Sequence, residues 1–160
     1  MATTPRICIN GTGRLGREII RQVLTASGEF EIGLINDPQM SASQLVYLLK
    51  YDSIYLGRNN PFHDGHTLEA DTDNNYIIID GKQYEFKHEN DITQLPLGGL
   101  GTTHVLECSG TFKTKDQLQL FINAGAQHVI CPYYLSDTTI PIYVDGVNTV
   151  VSSTEIYSLG

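Results

Sequence analysis

Three glycines, Gly11, Gly13 and Gly16, stand in the run Ile9-Asn10-Gly11-Thr12-Gly13-Arg14-Leu15-Gly16. This G-x-G-x-x-G spacing can hold a pyrophosphate on main-chain amides, here those of Gly11–Leu15. The first glycine permits a tight turn. The second lets the backbone approach the phosphates without a Cβ clash, and the third lets the following helix sit close on the sheet. The helix start then offers unpaired N–H groups and a positive dipole end to the anion. The pattern gains its weight from context, because it follows an apolar strand-like run and opens a helical one. Asp37 ends the next strand-like run about 20 residues further on, where a carboxylate accepts hydrogen bonds from the adenosine ribose. A carboxylate there repels a 2′-phosphate, so the expected cofactor is NAD rather than NADP. The competing reading is a glycine-rich turn and an acid that caps a strand end.

The elements that must position these groups are legible as alternating apolar runs and helical stripes, the pattern of βαβ units and a parallel sheet. Arg6–Asn10 reads as a strand and Leu15–Thr25 as a helix, with Ile19, Ile20, Val23 and Leu24 on one stripe. Phe30–Asn36 reads as the second strand, ended by Asp37-Pro38. Ser43–Tyr51 reads as a helix, and Gly57–Asn75 as a long polar excursion. Tyr76–Ile79 and Gln83–Lys87, joined by Asp80-Gly81, carry a type I′ hairpin signal. His104–Cys108 reads as a buried strand, Lys113–Ala124 as a helix closed by Gly125, and His128–Cys131 as a strand stopped by Pro132. Ile142–Val144 and Val147–Ser152 are the last strand candidates, and Ser153–Gly160 is too short for another unit. The expected fold class is α/β, a Rossmann-type doubly wound, mostly parallel sheet with helices on both faces. Residues 1–152 are expected to form the dinucleotide-binding domain and 153–160 a divergent tail.

Bulk properties narrow the partners. The 160 residues suit one domain, and 10 Lys+Arg against 18 Asp+Glu give a net charge of -8. That balance argues against nucleic-acid or anionic-membrane surfaces, which need a basic face. No apolar run approaches the ~20 residues of a membrane span, and the N-terminus shows no signal-peptide pattern. Cys8, Cys108 and Cys131 have no metal spacing and lie in or at the end of apolar stretches, so reduced thiols and a cytoplasmic location are expected. Arg6, Arg14, Arg17 and Arg21 give the first helix a positive field suited to a pyrophosphate, or simply a solvated face. His63-Asp64-Gly65-His66 has metal-ligand residue types but reads as a solvated loop; no metal site is assigned.

At these residues the sequence resembles the N-terminal half of glyceraldehyde-3-phosphate dehydrogenases. Ile9 to Arg17 is similar to that family's opening motif, Ile35-Asn36-Asp37-Pro38 to its ribose-binding turn, and Tyr51-Asp52-Ser53 to the segment after its next helix. Glu107-Cys108-Ser109-Gly110 resembles its nicotinamide-side strand end. Gly125-Ala126, Val129-Ile130 and Gly146-Val147-Asn148 match later landmarks, in order. His88-Glu89-Asn90-Asp91 and Leu106-Glu107-Cys108 also resemble the sister erythrose-4-phosphate dehydrogenases. The resemblance implies cofactor contacts from Asn10, Gly11, Thr12, Gly13, Arg14, Leu15, Asp37 and Asn90, and from Cys108, Ser109 and Gly110.

The family's chemistry uses a cysteine thiolate that attacks an aldehyde carbon and a histidine from a second domain that takes the proton. Hydride then passes to nicotinamide, and phosphate cleaves the thioester. The family's cysteine follows a Ser-Asn-Ala-Ser stretch just after the last strand. Here Val150-Val151-Ser152 is followed by Ser153-Thr154-Glu155-Ile156-Tyr157, and no cysteine follows Cys131. No catalytic residue is therefore assigned. Cys108 is the least implausible substitute, but Glu107 and Ser109 do nothing to lower a thiol pKa, and a packed cysteine is the favoured reading. Two peripheral cofactor anchors also differ. Asn90 stands where the family has an arginine against adenine, and Pro132 where it has a serine, so weaker NAD binding is expected.

Three functions follow: a non-catalytic NAD-binding or interaction module, a fragment or trans-completed part of an active NAD-dependent phosphorylating aldehyde dehydrogenase, and a scaffold that has lost NAD. A homodimer or a protein partner is expected over the surface that the family's second domain covers.

Overall fold

Short apolar strands separated by helix-length segments can pair side by side only when each connection crosses a face of the sheet. The computed structural model, which describes residues 4–26, 28–52, 65–149 and 153–159, has this architecture. Its strands are β1 (Arg6–Asn10), β2 (Glu31–Asn36), β3 (Leu68–Asp71), β4 (Tyr76–Ile79), β5 (Lys82–Lys87), β6 (His104–Glu107), β7 (His128–Cys131), β8 (Ile142–Tyr143) and β9 (Ile156–Leu159). Helices α1 (Arg14–Thr25), α2 (Ala42–Tyr51) and α3 (Lys115–Asn123) connect them, with a 3-10 turn over Ile92–Gln94. The sheet order is β3-β4-β5-β2-β1-β6-β7-β9-β8.

Strand β1 lies between β2 and β6, parallel to both, with Asn10 level with Asn36 on one side and Glu107 on the other. The chain winds outward from β1 in one direction, then returns to continue in the other. The carboxyl ends of β1 and β6 therefore flank the switch point, where open α/β sheets bind ligands. Alternation along β1 feeds two cores. Ile7 and Ile9 join Ile20, Ile35, Leu45 and Phe86 on one face. Cys8 joins Leu34, Val105, Leu118, Phe121 and Val129 on the other. Such burial on both faces marks a central parallel strand.

Local signals set the element ends. Ser41 accepts the Gln44 N–H and the Gln44 side chain accepts the Ser41 N–H, a capping box that starts α2. Thr114 and Gln117 repeat the device, so α3 begins at Lys115 rather than Lys113. Asp80 and Gly81 both have positive φ, 50° and 78°, and close the β4–β5 hairpin with Ile79 opposite Lys82.

Three expectations are corrected. The polar excursion contains β3, which pairs antiparallel with β4 and rests Leu68 and Ala70 on the core; residues 53–64 lie outside the described ones. Of the expected strand Val147–Ser152, residues 147–149 are not in a strand and 150–152 lie outside the described residues. Residues 144–148 form a turn, in which Asn148 Oδ1 accepts the Val144 N–H and Asn148 Nδ2 donates to the Ile142 carbonyl. The last described strand is Ile156–Leu159, expected as tail, which runs parallel between β7 and β8. Finally, Arg17 and Arg21 form neither a positive field nor a solvated face. Both are buried, and Arg17 holds Asp52 at the end of α2 at 2.6 Å while Arg21 donates to the Leu48 and Leu49 carbonyls.

Candidate functional site

The loop from β1 to α1 is shaped by two close approaches. A Cβ on Gly16 would stand 2.0 Å from the Gly11 carbonyl oxygen, and one on Gly11, at φ +92°, would stand 2.5 Å from the Ser109 nitrogen. Only hydrogen fits at either place, so the helix start packs on the turn and the turn packs on the end of β6. Gly13 differs: a Cβ there meets nothing within 4 Å. It borders open space and forms the N-cap of α1, with no side chain capping the helix and no acid in its first turn. The first helical bond runs from the Arg17 N–H to the Gly13 carbonyl at 3.0 Å. The amides of Arg14, Leu15 and Gly16 therefore precede any intrahelical partner.

The five amides expected to grip phosphates divide into two groups. The Gly11 N–H donates to the Asn36 carbonyl at 2.8 Å, and the Thr12 N–H to Asp37 Oδ2 at 2.7 Å. These two belong to the scaffold, which leaves Gly13, Arg14 and Leu15 of the five. Arg14 is exposed at the helix start and Leu15 is 40% exposed.

Asp37 lies at the mouth of the cleft, but its carboxylate is already engaged. Oδ2 also accepts the Thr12 hydroxyl at 2.7 Å, and Oδ1 accepts the Gln39 N–H at 2.9 Å. Burial pushes the Asp37 carboxyl up, yet the hydrogen bonds of Thr12, Gln39 and Met40 outweigh it and hold it below the ordinary carboxylate value.

Behind the loop, a chain of side chains crosses the carboxyl ends of four strands. Glu89, just past β5, exchanges backbone bonds with the Asn36 side chain, whose Nδ2 also donates to Asn10 Oδ1 at 2.8 Å. Asn10 Nδ2 in turn donates to Glu107 Oε2. Glu107 is fully buried, and Oε1 accepts the Ser109 N–H, the Ser109 hydroxyl and the Gly110 N–H. Burial pushes the Glu107 carboxyl up, with those hydrogen bonds opposing it. The expected contacts Asn10, Ser109 and Gly110 thus have their polar groups turned onto this network. Cys108 is buried, and burial followed by the Glu107 charge pushes its thiol far above the ordinary value. Neither Glu107 nor Asn36 was singled out from sequence as a site residue. An acid closing the apolar run Val105-Leu106 was the available signal for Glu107.

The resulting cleft, about 370 Å³, is lined by Gly11, Gly13, Asp37, Cys108, Ser109 and Thr111, with Pro38, Gln39 and Met40 at one side. Asn10 and Thr12 lie behind its wall, and Asn90 is exposed beyond β5, away from the lining. The groups present fit a dinucleotide in part. An uncapped helix start beside an open Gly13 has the chemistry to take a pyrophosphate, and the Asp37 carboxylate borders the same cleft. His63 and Asp64 lie outside the described residues, and His66 sits on Asp80.

Comparison with known proteins agrees with this geometry. A family described as "Glyceraldehyde 3-phosphate dehydrogenase, NAD binding domain" matches residues 5–115. The glyceraldehyde-3-phosphate dehydrogenase of Aspergillus oryzae is 32% identical over 156 residues, covering 96% of this chain and 42% of that protein. The Monascus purpureus enzyme is 36% identical over 144 residues, covering 90% and 40%. Glyceraldehyde-3-phosphate dehydrogenase 3 of Saccharomyces cerevisiae is 34% identical over 143 residues, covering 89% and 40%. The chain spans about two fifths of the length of the curated relatives it matches.

Proposed function

Because the chain belongs to the glyceraldehyde-3-phosphate dehydrogenase family, as its NAD-binding domain, we propose that it holds NAD in the cleft at the end of β1 and that these 160 residues alone perform no oxidation. The carrying observation is the uncapped start of α1 beside Gly13, in a cleft that Asp37 also lines. The amides of Arg14, Leu15 and Gly16 take the pyrophosphate, and Asp37 takes the adenosine ribose. Bound NAD supplies a hydride acceptor; the residues described here bind and orient it. Exposed Asn90 offers no planar cation to adenine, so affinity is lower than in the full-length relatives.

The lack of oxidation rests on the thiols. Cys8, Cys108 and Cys131 are free and buried, and burial pushes all three up, Cys131 to about 12. A thiol so placed is not a nucleophile at neutral pH. Reduced thiols also suit a cytoplasmic protein. Tyr134, Val144, Val147 and Leu159 are exposed near the β8–β9 edge, and a second copy or another protein covers them in this reading. No helix among the described residues is long and apolar enough to cross a membrane.

Calorimetric titration tests the proposal. NAD binding without NADP binding supports it, and no heat with either leaves the scaffold reading. Aldehyde-dependent NADH formation that a Cys108→Ser variant abolishes overturns the non-catalytic assignment.

A second reading is favoured by β9. The last described strand is Ile156–Leu159, and this reading takes it as the counterpart of the strand before the family's nucleophile. In that reading the catalytic groups are supplied by residues outside these 160, and mixing with a chain that carries the family's catalytic portion yields NADH formation.

A further inference from the structure

Resting on the assignment of NAD to this cleft, we propose that Thr12 is a specificity-determining residue. Its hydroxyl occupies the Asp37 acceptor that a ribose hydroxyl needs. The cleft therefore grips the pyrophosphate more firmly than the adenosine ribose and discriminates weakly between ribose and deoxyribose.

The argument begins with the capacity of the carboxylate. An ionised aspartate offers about four acceptor positions. Oδ2 receives the Thr12 N–H and the Thr12 O–H, both at 2.7 Å, and Oδ1 receives the Gln39 N–H at 2.9 Å. The Met40 N–H adds a fourth bond, so a ligand gains a position only where a donor yields. The three amide donors are fixed by the backbone of the loop and of the turn after β2, so the hydroxyl is the donor that can yield.

Yielding is unfavourable for Thr12. The residue is fully buried, so a displaced hydroxyl finds no solvent. Its other polar neighbour among the described residues is Met40 Sδ at 3.2 Å, a thioether and a weak acceptor. A ribose hydroxyl that takes the Oδ2 position exchanges one charge-assisted bond for another and strands a buried donor, so its net gain is small. The amides of Arg14, Leu15 and Gly16 face no such competitor, because no side chain caps α1. Removing the hydroxyl leaves Asp37 oriented by its three N–H donors, with one acceptor position free on a carboxylate that borders the cleft.

The test is a cycle between Thr12 and the ribose. Calorimetry of the full chain is run with NAD, its 2′-deoxyadenosine analogue and inorganic pyrophosphate, on the native protein and on Thr12→Val. The native protein should lose less than about fivefold in affinity on going to the deoxy analogue. The variant should bind NAD about tenfold more tightly than the native protein, with a smaller gain for the analogue and unchanged pyrophosphate affinity. The proposal is overturned if the native protein already loses more than about tenfold on loss of the 2′-hydroxyl, or if the variant binds NAD no more tightly. The native-protein comparison decides the matter even if Thr12→Val does not fold. Pyrophosphate binding without dinucleotide binding in either protein would instead remove the NAD assignment and take this inference with it.

Discussion

Gly13 and Gly16 separate ligand recognition from folding, and replacing each with alanine tests the site directly. At Gly16 the new Cβ would lie 2.0 Å from the Gly11 carbonyl oxygen and 3.0 Å from its carbon. Backbone stands on both sides, so the turn or the helix must move. A displaced helix start that no longer packs on its sheet falls among the severe classes, and a loss of about 4 kcal/mol or more is expected. At Gly13 nothing lies within 4 Å of the Cβ, and φ −59°, ψ −168° suits an L-residue. Lower chain entropy in the unfolded state stabilises Gly13→Ala by about 0.4–1 kcal/mol. Replacing an N-cap glycine offsets part of this, so the net change stays within about 1 kcal/mol. The methyl group enters the space a phosphate must approach, and NAD affinity should fall at least about tenfold, or about 1.4 kcal/mol. Urea denaturation and NAD calorimetry read the two effects separately. A Gly13→Ala protein that binds NAD like the native chain would show that the anion does not rest on this loop.

Further outcomes follow from the buried charges. Asp52→Ala leaves Arg17 buried without its 2.6 Å partner; urea denaturation should show a loss of about 3–5 kcal/mol, and a loss below about 1 would mean that Arg17 reaches water. Glu107 has its folded-state value raised by burial, so its stabilising contribution is complete below the unfolded value and lost as pH rises through the folded one. Native stability should fall relative to Glu107→Gln as pH rises above 4.5, the ordinary value; parallel pH profiles would contradict this. Asp37 has the opposite sign, its folded-state value being lowered from 3.8. Its contribution is present above 3.8 and lost as pH falls through the folded value. Asp37→Asn should therefore weaken the protein at pH 7 by about 1–3 kcal/mol, with the gap closing in strong acid in a denaturation series.

The central architecture was legible because its signals are local and periodic. Ile7, Cys8 and Ile9 alternate between two cores and the hairpin turn carries Asp80-Gly81, whereas the capping boxes at Ser41 and Thr114 set helix starts, Ala42 and Lys115, that the apolar stripes did not locate. Gly11, Gly13, Gly16 and Asp37 stand out in the sequence for the same reason, a local spacing. What escaped depends on tertiary contact. Leu68–Asp71 is too short to show a period and becomes a strand by pairing with β4. Val147–Ser152 has better strand composition than Ile156–Leu159, but Asn148 spends its amide closing a turn. Arg17 and Arg21, read with Arg6 and Arg14 as a field around α1, proved to be interior struts, since charge counting says nothing about whether Asp52 lies within reach. Glu107 has its partners up to 97 residues away in sequence, at Asn10, which no local pattern reports.

The row of amides and carboxylates from Glu89 through Asn36 and Asn10 to Glu107 ties both halves of the sheet together under the crevice. Each member is hydrogen-bonded to its neighbour, so the row can open only by breaking several bonds together. The crevice floor should consequently be among the last parts of the domain to exchange its amide protons. A nucleotide landing there meets a surface whose ordering entropy was already spent when the chain folded.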